Sequence, residues 1–184
     1  TEIVTEKIRK QMEFLKHLCK EEFRLLEEYL DEMEPGDVTN REGHAAKVYF
    51  NALFGMKFTR TADIPFNAAL NYGYSILLSA CNREITANGY ITQLGLFHDN
   101  MFNPFNLASD MMEPYRILVD QAVYDMHIRQ FGTEEKMTLV NLLNLTVVIA
   151  GRSEYVSNAV KIYCKSIFDA LNEKDISLIK CYEL

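Results

Sequence analysis

Several common protein classes are excluded by what this sequence has little of. Its four cysteines, Cys19, Cys81, Cys164 and Cys181, include no C-x-x-C pair and are too sparse for a disulfide scaffold. They are expected to be reduced thiols, as in a cytoplasmic protein. Long hydrophobic runs are lacking as well: no segment reaches the roughly 18 apolar residues that a membrane span needs, and the N-terminus carries no signal-peptide pattern. No membrane association is expected. Basic residues are outnumbered, and a formal net charge of −7 argues against a free-standing nucleic-acid binder whose affinity comes from neutralising phosphates. No convincing strand alternation, internal repeat or low-complexity segment is found. The Glu-x-x-His pairs of a ferritin-like di-iron bundle are also missing.

What is present is apolar residue at helical spacing. With 48% hydrophobic and 24% charged residues, the 184-residue chain suits one globular domain with a substantial core. The periodicity predicts an all-α fold, a single domain over residues 1–184 built of about seven helices. The first carries Ile8, Met12, Leu15 and Cys19, with Phe14 and Leu18 widening the stripe. The second runs through Phe23, Leu26 and Leu30, and Pro35-Gly36 ends it after the acidic run 27–34. A third is expected over 39–54, burying Ala45, Val48, Tyr49 and Leu53, with Gly55 as its stop. Residues 68–87 form a long helix, apolar on more than one side and therefore central. Helix resumes between Asn106 and Pro114 and runs to Phe131. Thr133 is expected to cap a buried helix to about Ala150, closed by Gly151, and Ser153 a last one ending near Asn172. Because the chain opens at Thr1, without methionine, straight into a periodic helix, it is expected to be a C-terminal fragment.

Two stretches stand out for chemistry. Residues 89–104, GYITQLGLFHDNMFNP, lack helical periodicity, and loops that long in compact domains are usually functional or disordered. This one is too apolar for disorder. It carries His98, and Glu113 follows at the mouth of the next helix. The other stretch is 37–50. There Thr39 and Glu42 match a T-x-x-E capping box, in which each side chain satisfies a free backbone N–H. Alternatively, Glu42 is a functional carboxylate held ionised by the positive end of the helix, with Gly43 leaving room for something to approach. Spacing alone leaves both readings open. Of the nineteen Lys and Arg residues, ten lie in the first sixty positions, Lys7, Arg9, Lys10, Lys16 and Lys20 among them. They suit either a solvated helix face or a phosphate track.

Glu42-Gly43 with Ala46, Tyr49 and Phe50, then Leu70-Asn71-Tyr72-Gly73-Tyr74, then Leu94-Gly95 with His98, then Asp110, Met112-Glu113-Pro114, Arg116 and Leu118-Val119-Asp120 follow one another over roughly residues 6–132. Together these ordered blocks resemble the CRISPR adaptation integrase, the universal CRISPR-associated spacer-acquisition nuclease. Glutamate at 113, in place of aspartate, is similar to the branch found in type II systems.

The resemblance implies an all-helical catalytic domain in which Glu42, His98 and Glu113 are the catalytic residues and together bind a divalent metal, Mg²⁺ or Mn²⁺. In the family this domain follows a smaller β-rich domain that forms the homodimer; nothing in this sequence looks like it. The implied activity is that of a metal-dependent DNA endonuclease and integrase, inserting prespacer DNA into the leader-proximal repeat of a CRISPR array. The implied partners are that DNA, a second copy of the full-length protein, and a small companion adaptation protein bridging two dimers. The residue types agree, because two carboxylates can hold an ion that stabilises charge on a phosphodiester under attack. The imidazole tilts preference toward Mn²⁺. The competing reading is a non-catalytic helical interaction module, an inactive relative in which Glu42 only caps. His44, two positions after Glu42, points about 200° around a helix from it and is not expected to share its ion. Asp110 is either a helper carboxylate or a first-turn acid complementing the helix dipole. Asn71 and Tyr72 read equally as supports of the site and as packing. His17 and His127 have no nameable partner.

Overall fold

The structure, a computed structural model, describes residues 1–183. By its internal contacts the chain divides into two compact units, one formed by residues 1–72 with 113–136, the other by 73–112 with 137–184.

In the first unit, helix α1 (Glu2–His17) has Glu2 in its opening turn and Lys16 and His17 in its last, each complementing the helix dipole. Its buried face reads Val4, Ile8, Gln11 and Leu15, spaced by three and four residues, and it also buries Glu6 and Lys10. That face packs against α2 (Phe23–Asp31), α3 (Arg41–Phe54), α6 (Arg116–Asp125) and the 3₁₀ turn Glu113–Tyr115. Rings of Phe50, Phe54, Phe58, Phe66 and Tyr124 form a contiguous aromatic cluster with centroids 4.8–6.4 Å apart. Helix α4 (Pro65–Ala87) starts earlier than its apolar stripe suggests, with Pro65 at a first position where the missing N–H is no loss.

The long helix expected between 106 and 131 is broken. Helix α5 (Asn106–Met111) gives way to the Glu113–Tyr115 turn, where Pro114 offers no N–H to continue an α-helix, and α6 follows. Helix α6 stops at Asp125, because His127 takes the left-handed conformation (φ 46°). With this break the described residues hold eight α-helices, against the expected seven or so.

The second unit corrects the reading of 137–155. Helix α7 (Thr133–Val140) passes into a 3₁₀ turn, Asn141–Asn144, and then into strand β1 (Thr146–Ile149). β1 pairs antiparallel with β2 (Arg152–Tyr155), Ile149 opposite Arg152, and on its other side with β3 (Tyr182–Glu183), giving the order β2-β1-β3. The physical reason is local. Thr146-Val147-Val148-Ile149 is entirely β-branched, and Ala150-Gly151 sits at φ 52° and 73°, the positive pair that a two-residue hairpin turn requires. Ser153 therefore lies in β2 opposite Val148 and caps nothing. Helix α8 (Val156–Glu173) starts after it and buries Ala159, Val160, Tyr163, Cys164, Ile167 and Phe168 at helical spacing. The Phe168 ring stacks on Tyr90, centroids 3.9 Å apart. Among the described residues, no helix is long and apolar enough to cross a membrane.

Candidate active site

Glu42 lies in the first turn of α3, and the start of that helix decides what its side chain is doing. Asp37 accepts hydrogen bonds from the backbone N–H groups of Arg41 (2.7 Å) and Glu42 (3.0 Å), so Asp37 is the cap. Asn40, immediately before the helix, is left-handed (φ 53°, ψ 44°), and this breaks the backbone path that a Thr39–Glu42 capping box would need. The box is not formed. Nor does Gly43 leave space for an outside group, since a Cβ there would lie 2.7 Å from Asn40 Oδ1 and 2.8 Å from Asn40 Nδ2. Its missing side chain lets the Asn40 amide cover the first turn.

Released from capping, the Glu42 carboxylate turns to α1. Lys7 Nζ donates to Glu42 Oε1 at 2.5 Å and makes an ion pair with Glu113 Oε2 at 2.6 Å. Glu113 is 3% exposed, and its other oxygen, Oε1, pairs with Arg116 at 2.9 Å. Burial acts to lower the Lys7 pKa. The Glu113 and Glu42 carboxylates outweigh it, with Arg116 opposing them, so the ammonium stays charged above its ordinary range. The arrangement fits a divalent cation. The two carboxylate oxygens, each within 2.6 Å of one nitrogen, lie no more than about 5 Å apart, the span a single hard ion with oxygen bonds of 2.0–2.6 Å covers. Lys7 Nζ lies between the two oxygens.

His98 belongs to the second unit, in the loop between α4 and α5. Asp110 organises that loop from one point: it accepts from the backbone N–H groups of Leu96 (2.5 Å), Phe97 (3.0 Å) and His98 (3.1 Å), and pairs with His98 Nδ1 at 2.6 Å. Burial of Asp110 favours its neutral form. The bond to His98 and then those from Phe97, His98 and Leu96 outweigh that, leaving its pKa below the usual carboxylate value. An ionised Asp110 can only accept, so in the neutral imidazole the proton sits on Nδ1 and Nε2 carries the lone pair. That carboxylate–histidine pairing is the one metal-binding histidines use. Asp110 is thus not a first-turn acid, since no acid lies in the first turn of α5; its oxygens take the loop amides and the His98 ring. Gly95 is required here, because a Cβ would collide with the His98 carbonyl oxygen and lie 2.8 Å from Asp110 Oδ2. Asn106 closes the rest of the loop, donating to the carbonyls of Gln93 (3.0 Å) and Asn100 (2.9 Å).

The remaining candidates fall elsewhere. The His44 ring lies against Tyr29, with centroids 6.2 Å apart. Asn71 accepts from Arg60 at 2.7 Å, and Tyr72 packs on Phe131. His127 lines an apolar cleft of about 450 Å³ with Phe54, Phe58 and Tyr124. His17 sits in the last turn of α1. Among the described residues, no three His, Cys, Asp or Glu side chains are gathered as a ready set of metal ligands. Glu42 and Glu113 meet on a lysine. Sequence reasoning missed Lys7 and Asp37. For Lys7 a signal existed: it stands three residues after Val4 and four before Gln11, a charge written into the buried stripe of α1.

The sequence model of CRISPR associated protein Cas1 matches residues 1–141. A CRISPR-associated endonuclease Cas1 from Neisseria meningitidis serogroup C (strain 8013) is 50% identical over 96 residues, 52% of this chain and 32% of the relative. One from Francisella tularensis subsp. novicida (strain U112) is 30% identical over 146 residues, 71% of this chain and 45% of the relative. A solved Cas1 protein from Thermotoga maritima superposes with a TM-score of 0.74 at 20% identity, covering 93% of this chain and 64% of that one; at such identity the likeness speaks for the fold. The chain spans about a third to somewhat under a half of the length of the two curated relatives.

Proposed function

The chain belongs to the CRISPR associated protein Cas1 family, and from that premise we propose that it is the helical catalytic domain, residues 1–184, of a metal-dependent DNA endonuclease and integrase. The reaction is strand transfer. The 3′-hydroxyl of a prespacer attacks a phosphodiester of the CRISPR repeat, a new P–O bond forms, the repeat strand's own bond to its 3′-oxygen breaks, and the proton lost by the attacking hydroxyl is matched by one gained at the departing 3′-oxygen. Bond types balance, so no cofactor need supply energy. Relatives named as endonucleases support nuclease chemistry.

The observation that carries the reading is the meeting of Glu42 and Glu113, far apart in sequence, on one lysine cation, Lys7. With His98 they are the catalytic metal ligands. A Mg²⁺ or Mn²⁺ ion held there supplies Lewis acidity to the phosphodiester oxygens. The chain's own residues prepare for it. Arg116 fixes the rotamer of Glu113 through Oε1, Asp37 frees Glu42 from the helix end, and Asp110 holds His98 in the tautomer a ligand needs. The imidazole favours Mn²⁺ over Mg²⁺. The partners are prespacer and leader–repeat DNA, a second copy of the full-length protein and a small bridging companion, all in the cytoplasm.

The test is strand transfer of a prespacer 3′-hydroxyl into a leader–repeat duplex with Mn²⁺ or Mg²⁺, in the assembled complex. Because Asp37 is the cap, Glu42→Gln should leave α3 formed and the protein folded while transfer falls by about 100-fold or more, at least the loss typical of groups one shell further out. Near-normal transfer by a folded Glu42→Gln protein would leave the non-catalytic interaction module as the better reading.

A further inference from the structure

We propose that Lys7 is a built-in counter-cation of the Glu42–Glu113 pair, which it holds together before metal loading and leaves when the divalent ion enters. This rests on the metal-centre reading above and adds a residue that exchanges with the ion. Three observations carry it.

The first is electrostatic. Glu113 is 3% and Glu42 18% exposed, and two carboxylates this close and this shielded repel each other unless a cation stands between them. A chain that folds before it meets its ion needs that cation internally, and Lys7 provides it. The second is charge balance. Two carboxylates against Lys7 and Arg116 make a neutral set. Adding a divalent ion with Lys7 still in place would add two positive charges to a largely buried site. Departure of the ammonium leaves one, which suits an incoming phosphodiester. The third is division of labour. Arg116 takes Glu113 Oε1, whereas Lys7 takes Glu113 Oε2 and Glu42 Oε1, the two oxygens that face each other. Arg116 can therefore stay while Lys7 goes. A lysine is suited to this exchange: its charge is a point on a four-carbon stem that rotates out without moving the helix, which a planar, bidentate arginine does less readily.

The experiment measures Mn²⁺ binding without DNA, by calorimetry, for the wild-type chain, Lys7→Met and Glu42→Gln, with thermal unfolding in chelator and in saturating Mn²⁺. Lys7→Met should bind Mn²⁺ at least roughly tenfold more tightly than wild type, since one like charge a few ångströms away is removed. It should also unfold at lower temperature in chelator and gain more from Mn²⁺. Equal or weaker Mn²⁺ binding by Lys7→Met, while Glu42→Gln abolishes binding, overturns the exchange and leaves the metal centre standing. If no variant binds Mn²⁺, both fail. Should Lys7→Met not fold, acetic anhydride labelling of wild type read by mass spectrometry decides. Lys7 should be protected in chelator and acylate several-fold faster with Mg²⁺, and unchanged labelling at saturating ion overturns the proposal.

Discussion

Asp110 shows how much one carboxylate can organise. Three consecutive backbone N–H groups and the His98 ring converge on it at 2.5–3.1 Å. Asp110→Asn keeps the shape but removes the charge and places an amide donor against donors, so it should destabilise the protein by about 1–3 kcal/mol, the range for bonds to a buried charged group. Amide hydrogen exchange at Leu96, Phe97 and His98 should rise with it; unchanged protection there would mean the loop is held by something else. The pH dependence has a definite sign. Because the folded pKa of Asp110 lies below its unfolded value of about 3.9, its stabilisation is complete above that value and is lost as pH falls through the lower folded one. Gly95→Ala meets the His98 backbone as well as Asp110, and backbone cannot step aside, so it should perturb the same amides without any change of charge.

At the scale of elements, the start of α3 separates two readings by mutation. Asp37→Ala should cost about 0.5–2 kcal/mol of stability, as loss of a helix cap does, whereas Thr39→Ala should cost almost nothing. Equal effects in thermal unfolding would contradict the assignment of the cap. The helices up to Ala87 are legible because their apolar stripes repeat at three and four residues through Ile8 and Leu15, Tyr49 and Leu53, Leu70 and Leu77. The segment 137–150 is not, since a short apolar run has no period of its own, and only the β-branched Thr146–Ile149 and the positive-φ pair Ala150-Gly151 mark it as a hairpin. In the candidate site, the ordered blocks around Glu42, His98 and Glu113 are what point to those residues. The roles of Asp37, Asp110 and Lys7 depend on contacts that no spacing rule encodes, five residues away in one case and thirty-five in another. Packing of α4 and α8 makes a further prediction. A hydrogen bond with Cys164 and then burial push the Cys81 thiol well up, so Cys81 should resist iodoacetamide until the protein unfolds, while exposed Cys19 reacts in the native state. Native-state labelling of Cys81 at the rate of Cys19, read by mass spectrometry, would contradict that packing.

For the molecule as a whole, charge sets the terms of DNA binding. With a net charge of −7 the 184 residues alone can neutralise few phosphates, so their DNA affinity should be weak and steeply salt-sensitive. A gel shift showing tight binding by the isolated chain at physiological salt would contradict this. What we propose is that Glu42, Glu113 and His98 hold one divalent ion in place of the Lys7 ammonium. The most direct measurement is anomalous diffraction at the manganese edge from crystals grown with Mn²⁺. The account predicts a single peak bonded to Glu42, Glu113 and the Nε2 of His98, at roughly 2.0–2.6 Å from each carboxylate oxygen, with the Lys7 ammonium withdrawn from between them. A peak elsewhere, or none at saturating Mn²⁺ with Lys7 still bridging the two carboxylates, would contradict it.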